Sequence, residues 1–151
     1  MLNAVGGRIA PVIEVLAANK TTDLAILRVA GSGYTRLPIS TSATLGEKVR
    51  VISHPDRRFY TLSEGIISRR WLDQKSGRGP RSMLTITADF AKGSSGAPVF
   101  NEYGAVIGSV NNTQSTYYNV KKNGEKDNLQ MVFKNCVSMR HLMELIENKQ
   151  K

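Results

Sequence analysis

Apolar and polar residues alternate along much of this chain, and the alternation predicts short β-strands. Residues 48–53 (Lys-Val-Arg-Val-Ile-Ser) and 83–87 (Met-Leu-Thr-Ile-Thr) have the two-residue period of a half-buried strand. Residues 24–29 form a short apolar run, as buried strands do. Residues 8–17 read as a strand interrupted by Pro11, which cannot donate to a ladder and so marks an edge or a bulge. Another strand falls within residues 60–69, with Gly65 as its bulge and Trp71 closing it. Val99-Phe100 and residues 105–110 predict a hairpin joined by Asn101-Glu102-Tyr103-Gly104. Asn123-Gly124 marks another turn, between Tyr117-Tyr118 and residues 129–133. The Gly-rich, charged stretch 73–80 predicts a disordered loop. Only the end has helical spacing, with apolar residues at Met139, Leu142, Met143 and Ile146 and Ser138 as N-cap. Many short strands and one terminal helix predict an all-β barrel protein.

Length and composition narrow this reading. A chain of 151 residues, 40% hydrophobic and 22% charged, can build one ordinary domain with a sizeable core. No apolar run approaches the length of a membrane span. The first seven residues lack the basic start and apolar centre of a signal peptide. A single cysteine, Cys136, excludes an intramolecular disulfide and a cysteine-built metal site, and reads as a small core hydrophobe. No metal-ligand cluster stands out, so neither metal nor cofactor is expected. The net charge of +9 invites nucleic acid or an anionic surface. Yet the basic residues are scattered, at Arg57-Arg58, Arg69-Arg70, Lys121-Lys122 and elsewhere, with no recognition motif among them. A solvated basic surface is the better reading, and nucleic acid is disfavoured as a partner.

Candidate chemistry centres on Lys92-Gly93-Ser94-Ser95-Gly96-Ala97-Pro98. Glycines let the backbone bend where a side chain would clash. A tight bend can aim successive N–H groups at one point, where they hold a developing oxyanion. On this reading Ser95 is a nucleophile, and the N–H groups of Gly93 and Ser95 form the oxyanion hole. The same heptapeptide also reads as an ordinary Gly/Ser turn, so its neighbours decide. Other serine chemistries fit less well. A nucleophile elbow needs Gly-x-Ser-x-Gly between strand and helix, whereas Ala97-Pro98 and a strand follow here. A phosphate loop needs Gly-Lys-Ser/Thr opening a helix, which is absent.

Upstream, Thr22-Asp23-Leu24-Ala25-Ile26-Leu27-Arg28-Val29 puts an aspartate at the head of an apolar strand. His54-Pro55 is followed by Leu62-Ser63-Glu64-Gly65-Ile66-Ile67-Ser68, and the serine turn by Gly104-Ala105-Val106-Ile107-Gly108-Ser109-Val110. These motifs, in this order, resemble the chymotrypsin-like serine peptidases, most closely the disulfide-poor bacterial branch that includes the HtrA-type proteases. The likeness runs over nearly the whole chain. It implies a chymotrypsin-like double β-barrel, its first barrel incomplete, with a C-terminal helix. The remainder of the first barrel would occupy 1–36, the second barrel 37–135 and the helix 136–151. The resemblance also implies hydrolysis of a peptide or protein substrate through a Ser95 acyl-enzyme. Asp23 would orient the histidine that serves Ser95 as base.

That histidine is the missing piece. In the family it precedes the aspartate, and residues 1–22 contain none. The resemblance therefore implies a chain that begins partway through the first barrel. His54 would give the order Asp23, His54, Ser95 of the subtilisins, but nothing else here resembles them; it also reads as a turn residue before Pro55. His141 reads as a residue on the surface of the terminal helix. The turn departs from the commonest family form at Ala97, where a second glycine is usual, and at Ser94, where Asp or Asn is common. Without an acid at 94, activation by a buried new N-terminus is not expected. Asp89 lies six residues before Ser95, the offset at which the digestive trypsins place the aspartate that selects Lys or Arg; a loop-bracing carboxylate is the other reading. Asn111, Asn112 and Thr113 match the segment that pairs with substrate backbone, which is recognition by strand addition. Two other function classes stay open: a non-catalytic peptide- or partner-binding module on the same fold, and a basic nucleic-acid-binding β protein with steeply salt-dependent affinity.

Overall fold

A computed structural model of the chain describes residues 2–3, 9–74 and 79–149. In chain order the strands are β1 (Leu2–Asn3), β2 (Ile9–Ala10), β3 (Val12–Asn19), β4 (Leu24–Val29), β5 (Lys48–Ser53), β6 (Thr61–Asp73), β7 (Arg81–Ile86), β8 (Pro98–Asn101), β9 (Val106–Val120) and β10 (Lys126–Ser138). One helix, α1 (Arg140–Lys149), follows. Strands β5 to β10 close into a six-stranded antiparallel barrel in the order β10-β7-β6-β5-β8-β9. Outside it, β3 pairs with β4 as a two-stranded ribbon, and β1 pairs with β2. Pro11 separates β2 from β3, as its missing N–H requires.

The two-residue period fills the barrel. On β5, Val49, Val51 and Ser53 point inward while Lys48, Arg50 and Ile52 face out. Val49, Val51, Ile67, Leu84, Ile86, Val99, Ile107 and Cys136 form one buried cluster. Each such aliphatic side chain contributes roughly 1.5–3 kcal/mol by leaving water. The ribbon has no comparable core: Ile13 and Val15 on β3 are 63% and 60% exposed. Both expected turns are present, at residues 102–104 and 121–125, and they join hairpins β8–β9 and β9–β10.

Four sequence expectations need correction. Gly65 is not a bulge: β5 and β6 pair in unbroken register through Val49↔Gly65, and the irregularity in β6 lies between Ile67 and Arg69. Gly65 is required because a Cβ there would sit 2.2 Å from the Ala88 nitrogen and 2.7 Å from the Thr87 carbonyl carbon. Trp71 does not end β6, since Trp71, Leu72 and Asp73 pair with Met83, Ser82 and Arg81. A buried Arg81–Asp73 ion pair at 3.0 Å fastens that end of the hairpin. The centre of the expected disordered loop, residues 75–78, lies outside the described residues. Residues 136–138 belong to β10, where Cys136 and Val137 pair with Leu84 and Met83, so the helix begins only at Arg140.

His141 is the fourth correction. It docks the helix instead of facing solvent. Its side chain is 10% exposed, and its Nε2 accepts the Ser82 N–H of β7 at 2.7 Å. Its Nδ1 meets Glu144 Oε2 at 2.8 Å. The Ser138 hydroxyl, just ahead of the helix, accepts the Arg140 N–H at 3.3 Å. Among the described residues no helix is long and apolar enough to cross a membrane.

Two outcomes follow from this packing. Gly65→Ala forces backbone against backbone, so urea unfolding should show a loss of about 3 kcal/mol. Burial pushes the Cys136 thiol far above its ordinary range. Because the thiolate is the reactive form, Cys136 should resist a disulfide-exchange reagent at pH 8 in the native protein and react fully in denaturant.

Candidate functional site

The serine turn is shaped by two glycines in the left-handed region, Gly93 at φ +97 and Gly96 at φ +84. At Gly93 the requirement is also steric, because a Cβ would lie 2.7 Å from the His54 carbonyl oxygen. The loop after β5 therefore runs directly beneath the turn, and the Asp56 N–H donates to the Lys92 carbonyl at 2.8 Å. Ser94 points inward, 1% exposed, and its hydroxyl donates to Ser53 Oγ at 3.1 Å. Ser95 points outward and is exposed. The side chain at 94, where the family commonly has Asp or Asn, is thus buried against a serine hydroxyl.

Backbone bonds fix the rest of the turn. Ser94 N–H donates to Ala91 O, Ala97 N–H to Ser94 O, and Gly96 N–H to Val110 O, while Val110 N–H returns to Ala97 O. Among the described residues, the N–H groups of Gly93 and Ser95 donate to no protein acceptor. They are the two donors that the sequence assigns to an oxyanion hole.

Asp23 ends the turn between β3 and β4, with φ +58, and is exposed. Asn111 joins it to the serine. Asn111 Nδ2 donates to Asp23 Oδ2 at 3.3 Å, and Ser95 Oγ lies 3.4 Å from the Asn111 carbonyl oxygen. Three residues singled out from separate parts of the chain thus meet at one place. Beside Asp23, the buried Thr22 Oγ1 has no hydrogen-bond partner among the described residues.

Sequence reasoning missed what lies behind Asn111. Trp71 Nε1 donates to Thr85 Oγ1 (3.0 Å), Thr85 Oγ1 to Asn135 Oδ1 (2.8 Å) and Asn135 Nδ2 to Asn112 Oδ1 (3.1 Å). Asn112 Nδ2 then donates to Asn111 Oδ1 at 2.8 Å. The chain of donors runs one way, from the barrel wall to the Asp23 carboxylate. The only hint of it in the sequence was the Asn111-Asn112 pair itself.

Asn111, Asn112 and Thr113 lie in mid-strand, since β9 continues to Val120. On one side Asn112 and Thr113 pair with Asn135 and Lys134 of β10. On the other, β8 pairs only as far as Ser109, opposite Pro98. From Asn111 onward that edge of β9 carries no ladder among the described residues.

The remaining candidates stand apart. Asp89 is at the surface, its side chain 89% exposed and its Oδ1 3.5 Å from Lys134 Nζ. Its main-chain oxygen accepts the Ser63 hydroxyl at 2.6 Å. This is a paired carboxylate in water, unlike the desolvated lone acid that would select Lys or Arg. His54 is engaged elsewhere: its Nδ1 accepts the Tyr60 N–H at 3.0 Å, and its ring packs between Phe59 and Tyr60 at 5.2 and 5.1 Å. Its carbonyl supports the serine turn while its ring makes no bond to Ser95. Gly93→Ala should therefore cost about 2 kcal/mol in denaturant unfolding and shift the backbone amide resonances of Gly93 to Gly96, with the barrel core unmoved.

Comparison with known proteins gives the family and the fold. Residues 4–108 match the trypsin-like peptidase domain. The serine endoprotease DegS of Salmonella typhimurium is 30% identical over 97 residues, covering 62% of this chain and 27% of the relative. The serine protease Do-like HtrB of Bacillus subtilis is 32% identical over 104 residues, covering 63% of this chain and 23% of the relative. The chain thus spans about a quarter of the length of these curated relatives. Among solved structures, the HtrA-type protease AlgW with a decapeptide superposes at TM-score 0.70 with 18% identity, over 97% of this chain and 42% of that one. The inactive form of Rv3671c from M. tuberculosis, an alanine variant, superposes at 0.64 with 19% identity, over 91% and 64%. These neighbours have the chymotrypsin-like fold, and this strand-rich chain with its short C-terminal helix shares it. The chain belongs to the trypsin-like peptidase domain family, on its bacterial HtrA-like branch.

Proposed function

We propose that this chain carries the nucleophile and the orienting acid of a serine endopeptidase, and that the histidine base comes from outside these 151 residues. The observation that carries the proposal is the meeting of Ser95, Asn111 and Asp23 beside an unpaired edge of β9. A peptide adding to that edge would present its backbone to Asn111, Asn112 and Thr113 and its scissile carbonyl to Ser95. Ser95 Oγ adds to the carbonyl carbon while its proton passes to the histidine. The oxyanion takes the Gly93 and Ser95 N–H bonds. The histidine then protonates the leaving amine, the C–N bond breaks, and water hydrolyses the acyl-enzyme by the same route. Asp23 holds the imidazole in the tautomer this needs.

Both histidines of the sequence make other bonds, and this supports the reading that the chain alone lacks its base. Its residual catalysis should be only that of an oxyanion hole and a binding surface, roughly 10³–10⁴-fold over water. A second reading, a peptide-binding module without catalysis, draws on one observation: Asn111 already bridges the acid and the serine, and strand addition needs no base.

Labelling with a fluorophosphonate separates the two readings. The enzyme reading expects labelling of a chain extended upstream to include a histidine-bearing strand, no labelling of the 151-residue chain, and none after Ser95→Ala in the extended chain. Absence of labelling in the extended chain, with peptide binding intact, would leave the binding module. Labelling of the 151-residue chain would mean that a base lies within it.

A further inference from the structure

A largely buried cation sits on a residue the family motifs did not point to. Lys134 lies on β10 directly opposite Thr113, so both side chains leave the same face of the sheet. Its side chain is 16% exposed, against 89% for its partner Asp89. Lys134 Nζ donates to the Phe90 carbonyl at 2.6 Å and lies 5.6 Å from the centre of the Phe90 ring. Phe90 belongs to the segment that enters the serine turn, so this ammonium is fastened to the backbone that carries Ser95. An ammonium has three donors, and the Phe90 carbonyl and Asp89 occupy two.

Around it is a groove of about 380 Å³ between β6, β7 and β10, with Arg69, Ser68 and Thr87 on its walls beside Met131. The Arg69 guanidinium is held 4.9 Å over the Trp71 ring. Both cations are positioned by fixed protein groups, while the one carboxylate is solvated and screened. An apolar wall with fixed cations and hydroxyls suits an aliphatic stem ending in a carboxylate.

We propose that Lys134 is a specificity-determining residue, and that the groove takes the side chain of a glutamate or aspartate in the bound peptide and disfavours Lys or Arg. The inference rests on the reading of β9 as a peptide-binding edge. Lys134 pairs with Asp89, so the carboxylate at that offset is already met by a cation. The spare ammonium donor and Arg69 then receive the incoming carboxylate.

The test uses fluorescent peptide amides that end in Glu, Gln or Lys on a common Ala/Val stem, with the terminal amide removing the other source of a carboxylate. Binding is followed by anisotropy on the full chain at low and moderate salt. The wild-type chain should bind the Glu peptide about tenfold more tightly than the Lys peptide, with Gln between, and the gap should narrow with salt. Lys134→Met should abolish the preference for Glu by removing the ammonium, and Lys134→Arg should keep it. Asp89→Asn, a surface change that leaves the fold intact, should tighten Glu binding, and it decides the matter if Lys134→Met does not fold. Equal binding of all three peptides, tighter binding of the Lys peptide, or an Asp89→Asn variant with unchanged preference would overturn the role of Lys134 and leave the peptide-binding edge standing. Failure of every peptide to bind would remove both.

Discussion

The site depends on one close approach of backbone to backbone. Gly93 lies against the His54 carbonyl with no room for a Cβ, and this contact lets the loop after β5 support the serine turn from below. Ser94 is driven inward onto Ser53, and Ser95 outward into solvent, by the same bend. The free N–H groups at 93 and 95 are its by-product, because the bonds of Ser94, Gly96 and Ala97 are used to hold it. A second crossing of the same kind, Gly65 against Thr87 and Ala88, lets β6 pass close to the strand that leads toward Asp89. Glycine at these two places is therefore a packing requirement as much as a conformational one.

From this support a polar chain runs through the wall of the barrel. Each donor, from the Trp71 indole to the Asn111 amide, points toward the Asp23 carboxylate. Hydrogen bonds aligned in one direction polarise one another, and a carboxylate is the natural end for such a series. Thr85 and Asn135 are buried, so their satisfaction by neighbours within the chain removes the desolvation cost that either would carry alone. The ribbon that carries Asp23 is otherwise poorly covered. The Asn111 bond is thus one of the polar links that tie it to the barrel.

Much of this was legible in the sequence, and the exceptions have physical causes. The alternation on β5 and the apolar run of β4 read directly as strands, because each strand there buries a regular set of side chains. The order of Asp23, the serine turn and the Gly104 strand carried the family. What could not be read was set by contacts between distant segments. Gly65 looked like a bulge because a glycine needed for a crossing and one needed for a bend are the same letter. His141 looked exposed because its partner, the Ser82 N–H, is on a strand far away in the chain. Asp89 carried the offset of a specificity residue, but its meaning changes once Lys134 is found beside it, and nothing local links those two positions. Trp71, Thr85 and Asn135 have no motif at all, and only the registers of β6 against β7 and of β7 against β10 align them.

The order in which the barrel closes has a consequence for biosynthesis. Strand β10 pairs with both β7 and β9, so it is the stave that turns an open sheet into a cylinder. It is also the last of the six barrel strands in chain order, after Ser95 and the loop beneath it. Until β10 arrives, β7 and β9 each have an unpaired edge, and Asn111 lacks the Asn112–Asn135 support behind it. A nascent chain would therefore carry its serine for some time in a turn not yet braced from the barrel side. The bracing of the serine turn from the barrel side therefore comes only with the strand that closes the barrel.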